Sequence, residues 1–151
     1  MKSEIYDELG PIVQGNRLKR LYAHAFRGLT QREGMSSNEL VVLLFLANNP
    51  KFNTAKDIVE LRGLTKSHVC KSVEELSRRG MIQSLPDPHD RRRIQLFPTP
   101  EAQGVIEEGL AIQRRFFEAL YEGVTAEENE ALQRVFEKIW RNAQQMMRST
   151  P

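Results

Sequence analysis

The first part of the chain carries hydrophobic residues at steps of three and four, the spacing of one helix face. Five positions follow this spacing: Leu18, Leu21, Tyr22, Ala25 and Leu29. We therefore predict a helix from about residue 3 to residue 28. Gly10 and Pro11 predict a kink or a restart in it, because proline lacks an N–H and clashes with the preceding turn.

A second helix is predicted by its start and by its composition. Ser36 lies three residues before Glu39, the spacing of a capping box, in which both side chains accept hydrogen bonds from backbone N–H groups. The run from Asn38 to Ala47 is apolar on nearly every side and is followed by Asn-Asn-Pro. A helix with so little polar surface has to be buried.

Two short helices come next. Thr54 and Asp57 have the capping spacing at the start of the first, and Gly63 predicts its end. The second runs from Thr65 to about Gly80, and its spacing turns three residues inward: Val69, Val73 and Leu76. Two short helices joined by a turn that contains glycine form a helix-turn-helix arrangement.

A β-hairpin is predicted directly after these helices. The short runs MIQSL and RIQLF flank a proline-rich turn that contains three consecutive arginines. Thr99, as a cap, and Pro100 then start a helix that reaches about Gly123, and Thr125 with Glu128 caps the last helix. The predicted fold is mainly α with a small β-hairpin wing. It is one domain over residues 1–151, with a winged helix-turn-helix lobe at about 36–98 and dimerisation helices at about 3–28 and 99–148.

Charge is informative only where it is concentrated. The formal net charge is +2, which by itself indicates no partner. Between residues 62 and 93, however, cationic residues outnumber acidic ones. The cations are Arg62, Lys66, Lys71, Arg78, Arg79, Arg91, Arg92 and Arg93, and the acids are Glu74, Glu75, Asp87 and Asp90. A nearly neutral chain with one cationic region is typical of nucleic-acid binding.

The candidate DNA contacts lie on the second short helix and on the wing. A recognition helix enters the major groove by its N-terminal end, where its unpaired N–H groups also favour phosphate. On that end we predict contacts from Thr65, Lys66, Ser67, His68 and Lys71.

Arginine inserted into the minor groove meets an enhanced negative potential, and this explains an arginine cluster on a wing. We predict that Arg92, and more weakly Arg91, contact DNA, and that Asp90 pairs with and orients an arginine of the same turn. Because strand side chains alternate, only some of the three arginines can point at DNA, and we expect the others to meet phosphate or solvent.

Two segments, SHVCKSVEELSRRGMI and DPHDRRRIQL, resemble the MarR family of winged helix-turn-helix transcriptional regulators. The family's wing pattern is Asp-x-Arg, a strand, and a threonine that opens the next helix, and Asp90, Arg92 and Thr99 match it. The resemblance follows the whole chain in order and is specific at about residues 54 to 104. It implies a homodimer that binds a pseudo-palindromic operator on double-stranded DNA, as a repressor. Many members release DNA when a small, often aromatic ligand binds, so a small-molecule effector is a further expected partner.

The terminal helices support the dimer independently of the resemblance. Their apolar faces exceed what one small lobe can bury, and a two-fold dimer would cover them. These faces include Ile5, Leu9 and Ile12 at one end and Phe136, Ile139, Trp140 and Met147 at the other. For an effector, the candidate contacts are Tyr22, His24, Phe26 and Phe45, although such residues are more often core or dimer contacts.

Other kinds of chemistry have little support. The one cysteine, Cys70, is expected near the packed side of the recognition helix, where a partly buried thiol is usually inert. The three histidines are scattered without paired ligand spacing, so we expect no metal and no cofactor. No phosphate loop or nucleophile with a paired base indicates an enzyme. We find neither a leader pattern nor an apolar run long enough to span a bilayer, so we expect a cytoplasmic protein without a membrane partner.

Two alternative functions stay open at this point. A non-specific architectural DNA-binding protein would bind random duplex nearly as tightly as any selected site. A winged-helix module for protein–protein contact would not need an arginine-tipped wing, and its binding would lack a steep dependence on salt.

Overall fold

The structure, a computed structural model, describes residues 10–150. The predicted positions Ile5 and Leu9 lie outside the described residues, as do the start of the predicted first helix and the side chain of Ile12. Up to Phe116 the chain forms one compact unit, and the remainder forms a second, smaller one.

The N-terminal helical region is two helices rather than one. α1 spans Gly10–Ala25 and α2 spans Arg27–Glu33. Phe26 lies between them at φ −93° and ψ 0°, and its N–H donates to the carbonyl of Ala23 (3.2 Å). The first helix therefore ends at Ala25, and its predicted end at about residue 28 is wrong. Phe26 and Leu29 are both buried across this break, which explains why the apolar spacing continues through it.

The third helix, α3 (Ser37–Asn48), is the centre of the core. The predicted capping box is confirmed: Glu39 N–H donates to Ser36 Oγ (3.1 Å), and Ser36 N–H donates to the Glu39 carboxylate (3.0 Å). The core residues of this helix are Leu40, Val42, Leu43, Leu44, Phe45 and Leu46. The apolar run thus predicted its burial correctly.

α4 (Ala55–Arg62) and α5 (Lys66–Arg78) form the helix-turn-helix. Gly63 ends α4 with φ +72°, a left-handed conformation that glycine adopts without a steric penalty. On α5, Val69 and Leu76 are fully buried and Val73 packs against the core, as the spacing predicts.

The wing is an antiparallel hairpin of β1 (Ile82–Pro86) and β2 (Ile94–Pro98), with Ser84 opposite Leu96. Leu96 is buried, and its N–H donates to the carbonyl of Asn53 (2.8 Å), which attaches the wing to the loop before α4. The predicted hairpin is confirmed, as is the fold class of a mainly helical chain with a small winged lobe.

Thr99 acts differently from the predicted helix cap. Its side chain makes no cap hydrogen bond, and its hydroxyl donates to the carbonyl of Gly80. Its N–H donates to the carbonyl of Met81 (2.9 Å), so Thr99 closes the base of the wing. A single 3-10 turn, Pro100–Ala102, follows before the next α-helix.

α6 spans Gln103–Leu120 and thus ends three residues before the predicted Gly123. α7 spans Ala126–Ser149 and begins with the predicted capping box of Thr125 and Glu128. Its apolar face is exposed: Leu132, Val135, Phe136, Ile139, Trp140, Met146 and Met147. Within residues 10–150, no helix combines the length and the apolar character needed to cross a membrane.

Candidate nucleic-acid interface

The N-terminal end of α5 is ordered by its own cap. Thr65 Oγ1 accepts a hydrogen bond from the His68 N–H (3.1 Å). This bond uses a lone pair of the hydroxyl and leaves its hydrogen able to donate to a phosphate oxygen. Thr65 therefore both starts the helix and presents a donor at its end.

The other predicted contact residues of α5 are all exposed: Lys66, Ser67, His68 and Lys71. Among the described residues, neither lysine forms an ion pair, so both charges are available to an anionic partner. By contrast, Arg78 near the other end of α5 pairs with Glu75, which raises the pKa of the guanidinium. The N-terminal half of α5 therefore carries exposed cations that are available to bind an anion.

Cys70 is exposed, which corrects the expectation of a partly buried thiol. Residues of a helix are separated by about 100°, so Cys70 points well away from its neighbour Val69. The inward stripe passes instead through Ser72, which is buried. The thiol therefore lies on the accessible part of α5.

The arginine turn of the wing is held by backbone hydrogen bonds. The Asp90 carboxylate accepts from the Arg92 N–H (3.1 Å), and the Arg93 N–H donates to the Asp90 carbonyl (2.9 Å). Asp90 thus orders the turn by accepting hydrogen bonds from the backbone N–H groups of Arg92 and Arg93. We had predicted an ion pair between Asp90 and an arginine side chain instead. Arg91 and Arg92 are exposed, and neither has an ion-pair partner in the described part of the chain.

Arg93 has carboxylate partners that the sequence analysis did not identify. Its Nη2 lies 3.8 Å from Asp57 Oδ2 on α4, and its Nε lies 3.8 Å from Asp87 Oδ2 at the end of β1. A hairpin tip gives no sequence signal of which distant helix it meets, so Asp57 could be recognised only as a helix cap.

A small cavity of about 100 Å³ lies between α1, α3 and the end of α4. Tyr22 and Phe26 line it and contact each other edge to face, with ring centroids 4.8 Å apart. Arg62 lies over the Tyr22 ring, 5.8 Å from its centroid. The other two candidate effector contacts are placed elsewhere, since His24 is exposed and Phe45 belongs to the buried core.

Lys19 and Arg62 also line this cavity and were not among the predicted contacts. Both are cations in a cavity that two aromatic rings also line, a combination that suits an anionic aromatic molecule. Within the described residues, no group of three His, Cys, Asp or Glu side chains is arranged to hold a metal ion.

Comparison with known proteins agrees with this geometry. Residues 33–93, which contain the helix-turn-helix and the arginine turn, match the family model described as MarR family. The matched residues form the central lobe of the chain, and this lobe is similar to the MarR family. MarR-family regulators share this mainly helical fold with a winged lobe, and the structural neighbours extend the likeness beyond the lobe.

A MarR-family transcriptional regulator from Silicibacter pomeroyi is similar over 92% of this chain and 96% of that one, with a TM-score of 0.75 and 18% identity. CouR from Rhodococcus jostii, solved with p-coumaroyl-CoA bound, gives a TM-score of 0.71 at 20% identity, over 91% of this chain and 95% of that one. At these identities the likeness concerns the fold. In sequence, the regulator SarT of Staphylococcus aureus is 41% identical over 39 residues, 26% of this chain. The chain matches about a third, 33%, of the length of that curated relative.

Proposed function

We propose that this protein is a transcriptional regulator that binds a specific double-stranded DNA operator as a homodimer. The observation that carries the proposal is the pairing, in one lobe, of an open recognition-helix end with an arginine wing. Lys66 and Lys71 on α5, and Arg91 and Arg92 on the wing, are exposed cations without an ion-pair partner among the described residues. An enzyme would not need this arrangement, and we propose no catalytic activity.

The two elements would serve different parts of the interface. Ser67 and His68 are short donors on the first turns of α5, suited to base edges in the major groove. Arg92 would enter the adjacent minor groove, and the lysines would contact phosphates and fix the register on the duplex. Specificity then comes from α5, and much of the affinity comes from the cations.

The homodimer is supported by the apolar face of α7. Phe136, Ile139 and Trp140 are all more than half exposed in the single chain. An exposed apolar surface of this kind is typical of a protein–protein interface. A two-fold dimer would place two recognition helices about one DNA turn apart, which matches a pseudo-palindromic operator.

We further propose that a small-molecule effector controls DNA binding. The neighbour CouR was solved with p-coumaroyl-CoA, and the cavity beside Tyr22 and Arg62 is the place where we propose that a small aromatic ligand binds here. We propose that ligand binding releases the DNA and that the protein acts as a repressor. It would work in the cytoplasm, where its operator is.

The decisive test is selection of binding sites from a random duplex library by purified protein at fixed, near-physiological salt. We expect enrichment of an inverted repeat whose half-sites lie about one helical turn apart. Tight binding without sequence preference would support the architectural alternative. Absence of binding, or binding without a steep salt dependence, would support the protein–protein module and overturn the proposal.

A further inference from the structure

The three wing arginines differ in what surrounds them. Arg93 lies between two carboxylates, with Asp57 Oδ2 and Asp87 Oδ2 each 3.8 Å from a guanidinium nitrogen. Within the described residues, Arg91 and Arg92 have no such partner. We propose that Arg93 is a positioning residue that clamps the wing to α4 and so sets where Arg91 and Arg92 meet DNA. This inference rests on the proposed function.

Both carboxylates are fixed by bonds of their own. Asp57 Oδ2 accepts from the Thr54 N–H (3.1 Å) at the start of α4, so its position is tied to a helix end. Asp87 Oδ1 accepts from the His89 N–H (2.8 Å), and its own N–H donates to the Arg93 carbonyl (2.8 Å). The guanidinium therefore joins a closed turn to a rigid helix terminus.

Burial favours the clamp over a DNA contact. The side chains of Asp57 and Asp87 are only 22% and 16% exposed, whereas that of Arg93 is 46% exposed. A partly buried carboxylate is costly without a partner. If Arg93 turned to a phosphate, it would leave two partly buried negative charges close to the DNA backbone. The lowest-energy complex keeps Arg93 on the protein.

The test uses charge removal that preserves the local hydrogen bonds. One variant is Arg93→Gln, and the other combines Asp57→Asn with Asp87→Asn. Asparagine keeps an oxygen that accepts from the Thr54 and His89 N–H groups. Glu60→Gln is the control, since Glu60 lines the same cleft beside the wing and pairs with Lys56 rather than with Arg93. Affinity for the selected operator is measured over a range of salt concentrations.

The clamp and simple electrostatics predict opposite signs for the double variant. If Arg93 is a clamp, loss of both acids weakens operator binding by about two- to fivefold, although two negative charges near DNA are gone. Arg93→Gln weakens it similarly with an unchanged salt slope. A variant that carries all three substitutions binds operator no more weakly than the single or the double variant. Glu60→Gln binds as wild type or slightly better.

Tighter binding by the double variant, together with a salt slope that falls by about 0.9 in Arg93→Gln, would show that Arg93 contacts phosphate and would overturn the clamp. Amide hydrogen exchange of the free protein separates this failure from failure of the proposed function. The clamp predicts faster exchange across residues 87–93 in both variants, and unchanged exchange contradicts it. If wild-type protein binds no duplex, the regulatory function fails, whatever the exchange shows.

Discussion

Arg92 combines an ordered backbone with an exposed side chain. Its backbone N–H is held by the Asp90 carboxylate, while its side chain is exposed and lines the cleft beside α4. The turn therefore fixes where the side chain starts and leaves its guanidinium free to reach a groove. In the proposed complex, most of the wing's direct contribution comes from this residue.

We expect Arg92→Ala to weaken operator binding by about 1–3 kcal/mol, because it removes the proposed groove contact. The free energy of unfolding should not change, since the side chain is exposed. Fluorescence anisotropy with a labelled operator at matched salt, together with a denaturant titration, tests both statements. Arg78→Ala is the control, because Arg78 is already paired with Glu75. Wild-type affinity in the Arg92 variant would contradict the wing contact.

At the level of elements, Gly109 sets how closely α6 approaches α3. A Cβ atom added at Gly109 would lie 2.8 Å from Leu44 Cδ2, and Leu44 is buried in the core. At Gly104 on the same helix, an added Cβ meets no atom within 4 Å. Glycine at 109 is therefore a packing requirement, whereas glycine at 104 is not.

This difference gives a matched pair of variants. We expect Gly104→Ala to raise stability by up to about 1 kcal/mol through helix propensity. Gly109→Ala should be less stable than Gly104→Ala by about 1–3 kcal/mol, because Leu44 must move within a packed core. Thermal or urea unfolding of the two proteins measures the difference. Equal stability would mean that Leu44 relaxes without cost.

An ion pair between Arg32 and Glu108 links α2 to α6. The hydrogen bond from Arg32, and then its charge, lower the pKa of Glu108 below its ordinary value of 4.5. A carboxylate whose pKa is lower in the folded state stabilises the fold above its unfolded pKa, and this contribution is lost as the pH falls. The effect is modest, because the pair is exposed to solvent.

Glu108→Gln should therefore be slightly less stable than wild type at neutral pH, and the difference should shrink as the pH falls below about 4.5. Urea unfolding at several pH values between neutral and about pH 3 measures it. The control is Glu118→Gln. Glu118 lies on the same helix as Glu108 and has no ion-pair partner among the described residues. A difference between Glu108→Gln and wild type that stays constant with pH would show that the ion pair is unimportant.

Local chemistry was predictable from sequence, and contacts between distant segments were not. The caps at Ser36, Thr54 and Thr125 lie within four residues of their partners, so spacing alone identifies them. The break at Phe26 follows from tertiary packing, which overrides a continuous apolar pattern. The pair between Arg93 and Asp57 joins segments far apart in sequence, and nothing near either residue indicates the other.

The same division applies to the candidate interface. The exposed end of α5 was predictable, because Val69 and Leu76 define its buried face. The role of Asp90 was not, because spacing cannot show whether a carboxylate meets a side chain or a backbone N–H. Cys70 was misplaced for a related reason, since the buried stripe passes through Ser72.

For the whole molecule, the important feature is the exposed apolar face of α7. Trp140 is 61% exposed in the single chain and lies near the middle of this face. We expect Trp140→Lys to reduce dimerisation strongly, because it replaces an aromatic side chain near the centre of the proposed interface by a charge. Light scattering coupled to size-exclusion chromatography measures the molar mass of the particle in solution. Operator affinity should fall as the dimer is lost.

Gln145→Lys is the matched control, since at 100° per residue Gln145 lies on the opposite side of the same helix. It adds the same charge and should leave the mass unchanged. If Trp140→Lys keeps the wild-type mass, the apolar face of α7 is not the dimer interface. Another element would then have to join the subunits.

The exposed position of Cys70 allows a distance within the proposed dimer to be measured on the unmodified sequence. The chain contains one cysteine, so a nitroxide label attached to it marks the recognition helix without any substitution. In the proposed dimer, two labels would report the separation of the two reading helices through their dipolar coupling. A separation near one DNA turn, about 34 Å, is expected when operator is bound. An aromatic effector that acts as proposed would shift or broaden this distance, so one spectrum would follow the regulatory switch directly.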